Sequence, residues 1–176
     1  MSKGTDIVYL DYAASTPVDP RVIEVMTPLF GVGGDFANPS SGHLAGRRSR
    51  QHVARAAEKL AGLLGCSERE LVWTSGATES DNLAIAGAAR YRADRGRHLV
   101  TMPTEHKAVS DVFHALEQQG FEVSWLYPAE SGVLDPAELE AAIRPDTQLV
   151  SIMHVNNETG VIQDIEALGA VCRARD

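Results

Sequence analysis

Cysteine is scarce in this chain: Cys66 and Cys172 are the only two among 176 residues. Two such distant thiols make neither a disulfide framework nor a metal-ligand spacing. Aromatic side chains are also sparse, at 6%, while aliphatic and alanine content is ordinary for a globular protein. Positive charge is in deficit, with 16 Lys and Arg against 24 Asp and Glu and a net charge of −8. A protein that neutralises phosphates needs a basic surface, so nucleic acid is not expected as the main partner. No run approaches the roughly 18 apolar residues of a membrane span, so no membrane association is expected. Met1–Asp6 has no charged-then-apolar layout of a signal peptide. The expected setting is a reducing, bacterial-type cytoplasm.

What is present fits one domain of ordinary size, long enough to bury a core. The one basic cluster, Arg47, Arg48, Arg50 and Arg55, reads as the solvated face of a helix. Its apolar stripe is Val53, Ala57, Leu60 and Leu64 at helical spacing. Asp19-Pro20 opens a helix running to about Phe30. A loop rich in Gly, Pro, Ser and Asn follows over 31–42, then a long helix from about His43 that stops at Gly65 in a left-handed cap. Leu71–Thr74 reads as a buried strand, and a helix runs from about Thr78 to Arg95. Further strands are predicted at His98–Met102, Phe121–Leu126 and Leu149–Met153. Helices are predicted from Lys107 to Gln119, from Asp135-Pro136, and from Asp164 to the chain end. Strands separated by such helices are the pattern of a mostly parallel sheet covered on both faces, an α/β fold. The chain finishes on a helix with no strand after it, whereas a βαβ unit leads back into the sheet. The expectation is an interrupted fold, unless that helix simply closes a small domain.

In an open parallel sheet, ligands lie beyond the carboxyl ends of the strands. Three segments leave strands there with polar sequences. In Thr74–Asn82, Gly76 allows close backbone approach, and Thr78 offers a hydroxyl and an amide at a helix N-terminus. This is either an anion site suited to phosphate or an ordinary capped turn. In Pro103–Lys107, His106 just past a strand end is a base, a ligand, a ring for stacking on a cofactor, or a hydrogen-bonded structural residue. In His154–Gly160, consecutive polar residues follow an apolar strand and are costly to bury without partners, which favours a site over a core. A metal set of His106, His154 and Glu158 has no tight ligand motif. Cys172 follows Ile165, Leu168 and Val171 at helical spacing and reads as core. Cys66 follows a helix-ending glycine, with no activating base or helix N-terminus beside it.

These segments together resemble the cysteine desulfurases, within the class V aminotransferase family of fold-type I pyridoxal 5'-phosphate (PLP) enzymes. The resemblance rests on Tyr9-Leu10-Asp11-Tyr12-Ala13-Ala14-Ser15-Thr16-Pro17, Asn38-Pro39-Ser40-Ser41, Ser75–Asn82, Thr104–Val109 and Val150–Gly160, in family order. It implies a three-layer α/β/α fold with a mostly parallel sheet, the first portion of the PLP-binding large domain over 17–176. Residues 1–16 would be a segment near the substrate entrance, as would the Asn38 loop. Gly76, Ala77 and Thr78 match the phosphate-binding turn. His106 matches the catalytic histidine that stacks on the pyridine ring and assists proton transfer. Asn157 matches the asparagine near the cofactor's phenolic oxygen and the substrate carboxylate. No metal site is implied.

The resemblance further implies L-cysteine as substrate, L-alanine and an enzyme persulfide as products, a homodimer, and iron–sulfur scaffold or other sulfur-acceptor proteins as partners. The family chain is roughly twice as long, and its remaining half carries the Schiff-base lysine, the nucleophilic cysteine and other site residues. None of Lys3, Lys59 and Lys107 stands in that lysine's motif, and neither Cys66 nor Cys172 matches the nucleophile. This chain alone is therefore expected to be inactive. Selenocysteine lyase or aminotransferase activity, and a non-catalytic binding subunit, are the alternatives.

Overall fold

The computed structural model describes residues 7–175. The expectations for Met1–Asp6 and for Asp176 lie outside those residues. The chain divides into two compact units, one ending at Trp73 and one beginning at Thr74.

In the first unit, α1 spans Pro20–Met26, and the Asp19 carboxylate accepts the Arg21 N–H at 2.8 Å as its N-cap. The predicted helix to Phe30 does not stay α-helical. It tightens into a 3-10 turn at Thr27–Leu29, because Pro28 has no N–H to continue the ladder. Helix α2 spans Leu44–Leu64, capped by the His43 ring at one end and by Gly65 (φ 68°) at the other. All four arginines of the basic cluster are exposed, as expected of a solvated face. Two of them are also structural: Arg50 donates to Pro39 O at 2.7 Å, and Arg47 donates to Gly42 O, so both hold the preceding loop. That loop lies so close that a Cβ on Gly46 would sit 2.5 Å from Ser41 O. The predicted apolar stripe is only partly buried. Ala57 is covered and Leu60 half-buried, whereas Val53 and Leu64 are 43% and 62% exposed.

Leu71–Thr74 is not a strand. Val72 and Trp73 are exposed, and among the described residues no neighbouring backbone pairs with the segment. Apolar β-formers become a strand only when a ladder satisfies their N–H and C=O groups.

The second unit is a three-layer α/β/α arrangement. Its sheet has the order β2-β1-β3. The strands are β1 His98–Thr101, β2 Glu122–Trp125 and β3 Thr147–Val150, and both pairings are parallel. Successive side chains of a strand point to opposite faces, and the two cores show it. Leu99 packs with Ile85 and Ala89 of α3 (Ala77–Tyr91) and with Val109, Val112, Phe113 and Leu116 of α4 (Lys107–Glu117). Val100, with Met102, packs with Leu139 of α5 (Pro136–Ala142) and Leu168 of α6 (Ile165–Arg173). Helices on both faces explain why β1 is buried along its whole length. Cys172 packs against the second cluster, as its spacing suggests. Among the described residues no helix is long and apolar enough to cross a membrane.

The bounds of helix α3 and strand β3 depart most from the sequence expectation. Helix α3 stops at Tyr91, short of Arg95, and the chain turns through Arg92–Arg95. Strand β3 begins two residues early and ends at Val150 rather than Met153. Ser151 N–H still bonds Val100 O at 2.9 Å, but the Met153 N–H goes to a side chain. Apolar Ile152 and Met153 thus leave the ladder while keeping their hydrophobic character.

The amino end of the sheet is fastened by His98, which is 1% exposed. Its Nδ1 bonds Thr147 Oγ1 at 2.6 Å on β3, and its Nε2 bonds Ser124 Oγ at 2.8 Å on β2. Burial, reinforced by the Arg144 charge and opposed by Asp146 and Glu122, holds its pKa below the usual 6.5. The unfolded chain therefore takes up this proton first as the pH drops. The contribution of His98 to stability is fully present above about pH 6.5 and is lost as pH falls through the lower folded value. Urea midpoints should decline between pH 7 and pH 5 more steeply for the parent than for His98→Gln. Equal slopes would contradict this assignment.

Candidate cofactor-binding site

Because the strands are parallel, the segments following β1 and β3 emerge side by side at the carboxyl edge of the sheet. After β1 the chain turns at Met102–Glu105, with Glu105 N–H on Met102 O at 3.4 Å, and enters α4 through His106. His106 is the N-cap, and its Nδ1 accepts the Ala108 N–H at 3.1 Å. An accepting Nδ1 places the proton of the neutral ring on Nε2, the tautomer suited to donating outward from this exposed position. The neighbouring Lys107 ammonium is held by both oxygens of Asp111 at 2.7 and 2.8 Å.

After β3 the chain makes a tight loop closed by an isolated antiparallel bridge between Val155 and Ile162. Asn156 organises it. Its Oδ1 accepts the N–H groups of Glu158 and Thr159, each at 2.9 Å, while its backbone bonds Val161 O and Gly160 N. Gly160 takes a positive φ of 74° there, which glycine adopts without steric cost. Asn157, next in line, is exposed, and its Nδ2 donates to the adjacent Glu158 Oε1 at 2.9 Å. The consecutive asparagines divide the work: the first builds the loop, and the second is presented by it.

The third segment is the start of α3. Its N-cap, Gly76, supplies no side chain to cap the helix, and a Cβ added there would meet nothing within 4 Å. The Ser75 hydroxyl and amide are instead bound by Glu79 Oε2 at 2.6 and 2.7 Å, which hold the Glu79 carboxyl below its usual pKa. Thr74 Oγ1 bonds Ser80 Oγ at 2.7 Å. The amides of Ala77 and Thr78, with the Thr78 hydroxyl, thus form an uncapped, positively polarised helix end with open space before it. That donor set fits a phosphate.

Two side chains that the motif reading left without roles join these segments. The half-buried Glu105 carboxylate accepts the Met153 N–H at 2.7 Å. Asn156 Nδ2 donates to Thr104 O at 2.9 Å. These bonds bring the His106 segment and the Asn157 segment together. Burial raises the Glu105 pKa, opposed by the Met153 N–H and reinforced by the Asp81 charge, and Thr78 of α3 lines one cavity with Ala108 of α4. Glu105 stands within the quoted Thr-Glu-His run, but its partner lies 48 residues away. Only the pairing of β1 with β3 reveals it.

Among the described residues no group of three His, Cys, Asp or Glu side chains is placed to hold a metal ion. Cys66 is half-buried at the end of α2, its N–H on Ala61 O.

A parallel sheet with helices on both faces and polar strand exits defines an α/β unit of the three-layer class. The chain belongs to the aminotransferase class-V family, whose profile matches residues 8–176. It is 55% identical to cysteine desulfurase IscS of Escherichia coli (strain K12 / DH10B) over 96% of its own length, and it spans 42% of that relative. Among solved structures, SspA in complex with cysteine aligns with a TM-score of 0.89 at 44% identity, over 96% of this chain and 48% of that one. A NIFS-like protein aligns with a TM-score of 0.91 at 38% identity, over 96% and 46%. The chain therefore spans less than half the length of these relatives.

Proposed function

We propose that this chain serves a PLP-dependent cysteine desulfurase, in which sulfur leaves L-cysteine and passes to an enzyme thiol, giving L-alanine and a persulfide. The observation that carries this reading is the joining of the His106 and Asn157 segments at the strand exits, with Thr78 of α3 lining one cavity with Ala108 of α4. The desulfurase names of its relatives support the choice of reaction. PLP, when bound, supplies the electron sink for breaking bonds at the amino acid. In this reading the amides of Ala77 and Thr78 and the Thr78 hydroxyl bind the phosphate, with Gly76 leaving room for it. His106 Nε2 offers a proton-carrying ring position, and the Asn157 amide donates to an oxygen of the cofactor or substrate. The covalent lysine and the sulfur-accepting cysteine come from outside residues 1–176. A homodimer, a cytoplasmic setting and delivery of sulfur to iron–sulfur scaffold or other acceptor proteins complete the proposal. Residues 1–16 and the Asn38 loop take part near the substrate entrance, and 17–176 belong to the large domain.

Titration calorimetry with PLP tests the site. The chain should bind PLP, and His106→Ala and Asn157→Ala should each weaken binding about fivefold, the loss of one net hydrogen bond of ~1 kcal/mol. Unchanged affinity in both variants would refute these roles. Alanine release from L-cysteine by the chain alone should be nil, and measurable turnover would refute the external lysine and cysteine.

A further inference from the structure

We infer that Glu105 and Asn156 form a reciprocal clasp that sets the position of His106 relative to Asn157, which makes both of them positioning residues for the site. The inference rests on the PLP reading for its purpose but on geometry for its existence. The two bonds run in opposite directions between the same pair of segments. The Glu105 side chain takes a backbone N–H from the β3 exit, at Met153. The Asn156 side chain gives an N–H to the backbone of the β1 exit, at Thr104. Each clasp residue immediately precedes a site residue: Glu105 comes before His106, and Asn156 before Asn157. A shift in either clasp bond is therefore delivered directly to the neighbouring site side chain.

The ladder does not do this work. The β1–β3 pairing ends at Val100–Val150. Beyond it, Ser151 N–H bonds Val100 O and Thr101 Oγ1 donates to Ser151 O at 3.0 Å. From Ile152 onward, where two departing segments would ordinarily diverge, the hydrogen bonds that join them among the described residues are the two clasp bonds. Asn156 is otherwise fully used: Oδ1 holds the loop amides, and Nδ2 also touches Met153 Sδ at 3.4 Å. Burial disfavours the charge of the partly buried Glu105, and the Met153 N–H favours it. A carboxylate accepts the Met153 N–H more strongly than a neutral acceptor does.

Three variants of the chain separate the parts. Glu105→Ala removes one clasp bond. Glu105→Gln keeps an acceptor oxygen for Met153. Asn156→Asp keeps the oxygen that holds the Glu158 and Thr159 amides but loses the donor to Thr104. Without PLP, hydrogen exchange at Met153 should accelerate at least tenfold in Glu105→Ala, while the Leu99 and Val100 amides stay protected and show that the sheet is intact. The His106 ring and Asn157 side-chain amide resonances should move together in Glu105→Ala and Asn156→Asp, and return toward the parent positions in Glu105→Gln. With PLP as probe, affinity should fall at least fivefold in the first two variants and stay within twofold in Glu105→Gln.

Resonances that stay in place in both clasp-breaking variants would overturn the inference. So would parent-like PLP affinity in both, even if the parent binds PLP well. If the parent binds no PLP while the apo resonances move as described, the cofactor reading fails and the clasp stands. If Glu105→Ala does not fold, Asn156→Asp alone decides between these results.

Discussion

Phe113→Ala should destabilise the Thr74–Asp176 unit by about 3–5 kcal/mol, the usual cost of emptying a fully buried aromatic site. Phe113 is 0% exposed and lies in the cluster formed by Leu99, Val112, Leu116 and Phe121. Its ring also meets Trp125 edge-on, with centroids 6.0 Å apart and planes at 64°, a contact that adds to simple area burial. The surrounding residues come from β1, α3, α4, β2 and Phe121 just before it, so the void cannot be closed by moving one element. Against a typical total stability of about 5–15 kcal/mol the loss is severe. The urea midpoint of the variant measures it directly, and a loss under about 1 kcal/mol would mean that the core can collapse around the site. Because α4 begins at the residue after His106, loosening its packing should also weaken PLP binding.

The second large effect is expected at Gln163→Leu, a swap that keeps bulk and removes hydrogen bonding. Gln163 is 4% exposed. Its Oε1 accepts the N–H of Leu134 at 2.9 Å, and its Nε2 donates to Gly132 O at 2.7 Å. Leu134 is itself fully buried, so its amide has no other partner to turn to. Leaving these two groups unsatisfied costs about 1–3 kcal/mol for the deeper one and somewhat less for the other, together ~2–4 kcal/mol. The consequence reaches the site loop, because a Cβ on Gly132, whose φ is 82°, would meet Val161 Cγ2 at 2.8 Å. Thermal unfolding and exchange at the Leu134 amide are the measurements. A variant whose Leu134 amide exchanges no faster than the parent's would rule out this role.

The helix boundaries were legible wherever a local signal dictates them. Asp19, Asp135 and Asp164 each cap the helix they precede, and Gly65 adopts the left-handed conformation expected of it. Capping involves residues two or three apart, so the information is in the sequence itself. Features that depend on a distant neighbour were not legible. Leu71–Thr74 has strand composition without a ladder. Met153 has strand character, yet it gives its N–H to a glutamate from another segment. Val53 and Leu64 sit at core spacing on α2 yet remain exposed. The same limit applied to the candidate site. Gly76, Thr78, His106 and Asn157 stand out because a polar or glycine residue at a strand exit needs a reason. Glu105 and Asn156 acquire theirs only once β1 and β3 are aligned.

The His98 bonds sit at the foot of the strands, the end away from the strand exits. A parallel strand that slipped by one residue would turn its core side chains toward the wrong face, and it would also have to break a bond from His98 to a flanking strand. The foot of the sheet thus acts as a registration mark. Sequence diversity introduced at the opposite rim, whether by drift or in a library, changes what the loops present without changing which loops are neighbours. Specificity in such a unit is open to revision one rim residue at a time, and a screen that randomises 103–104 or 157–159 while leaving 98, 105, 124, 147 and 156 alone should recover mostly folded members.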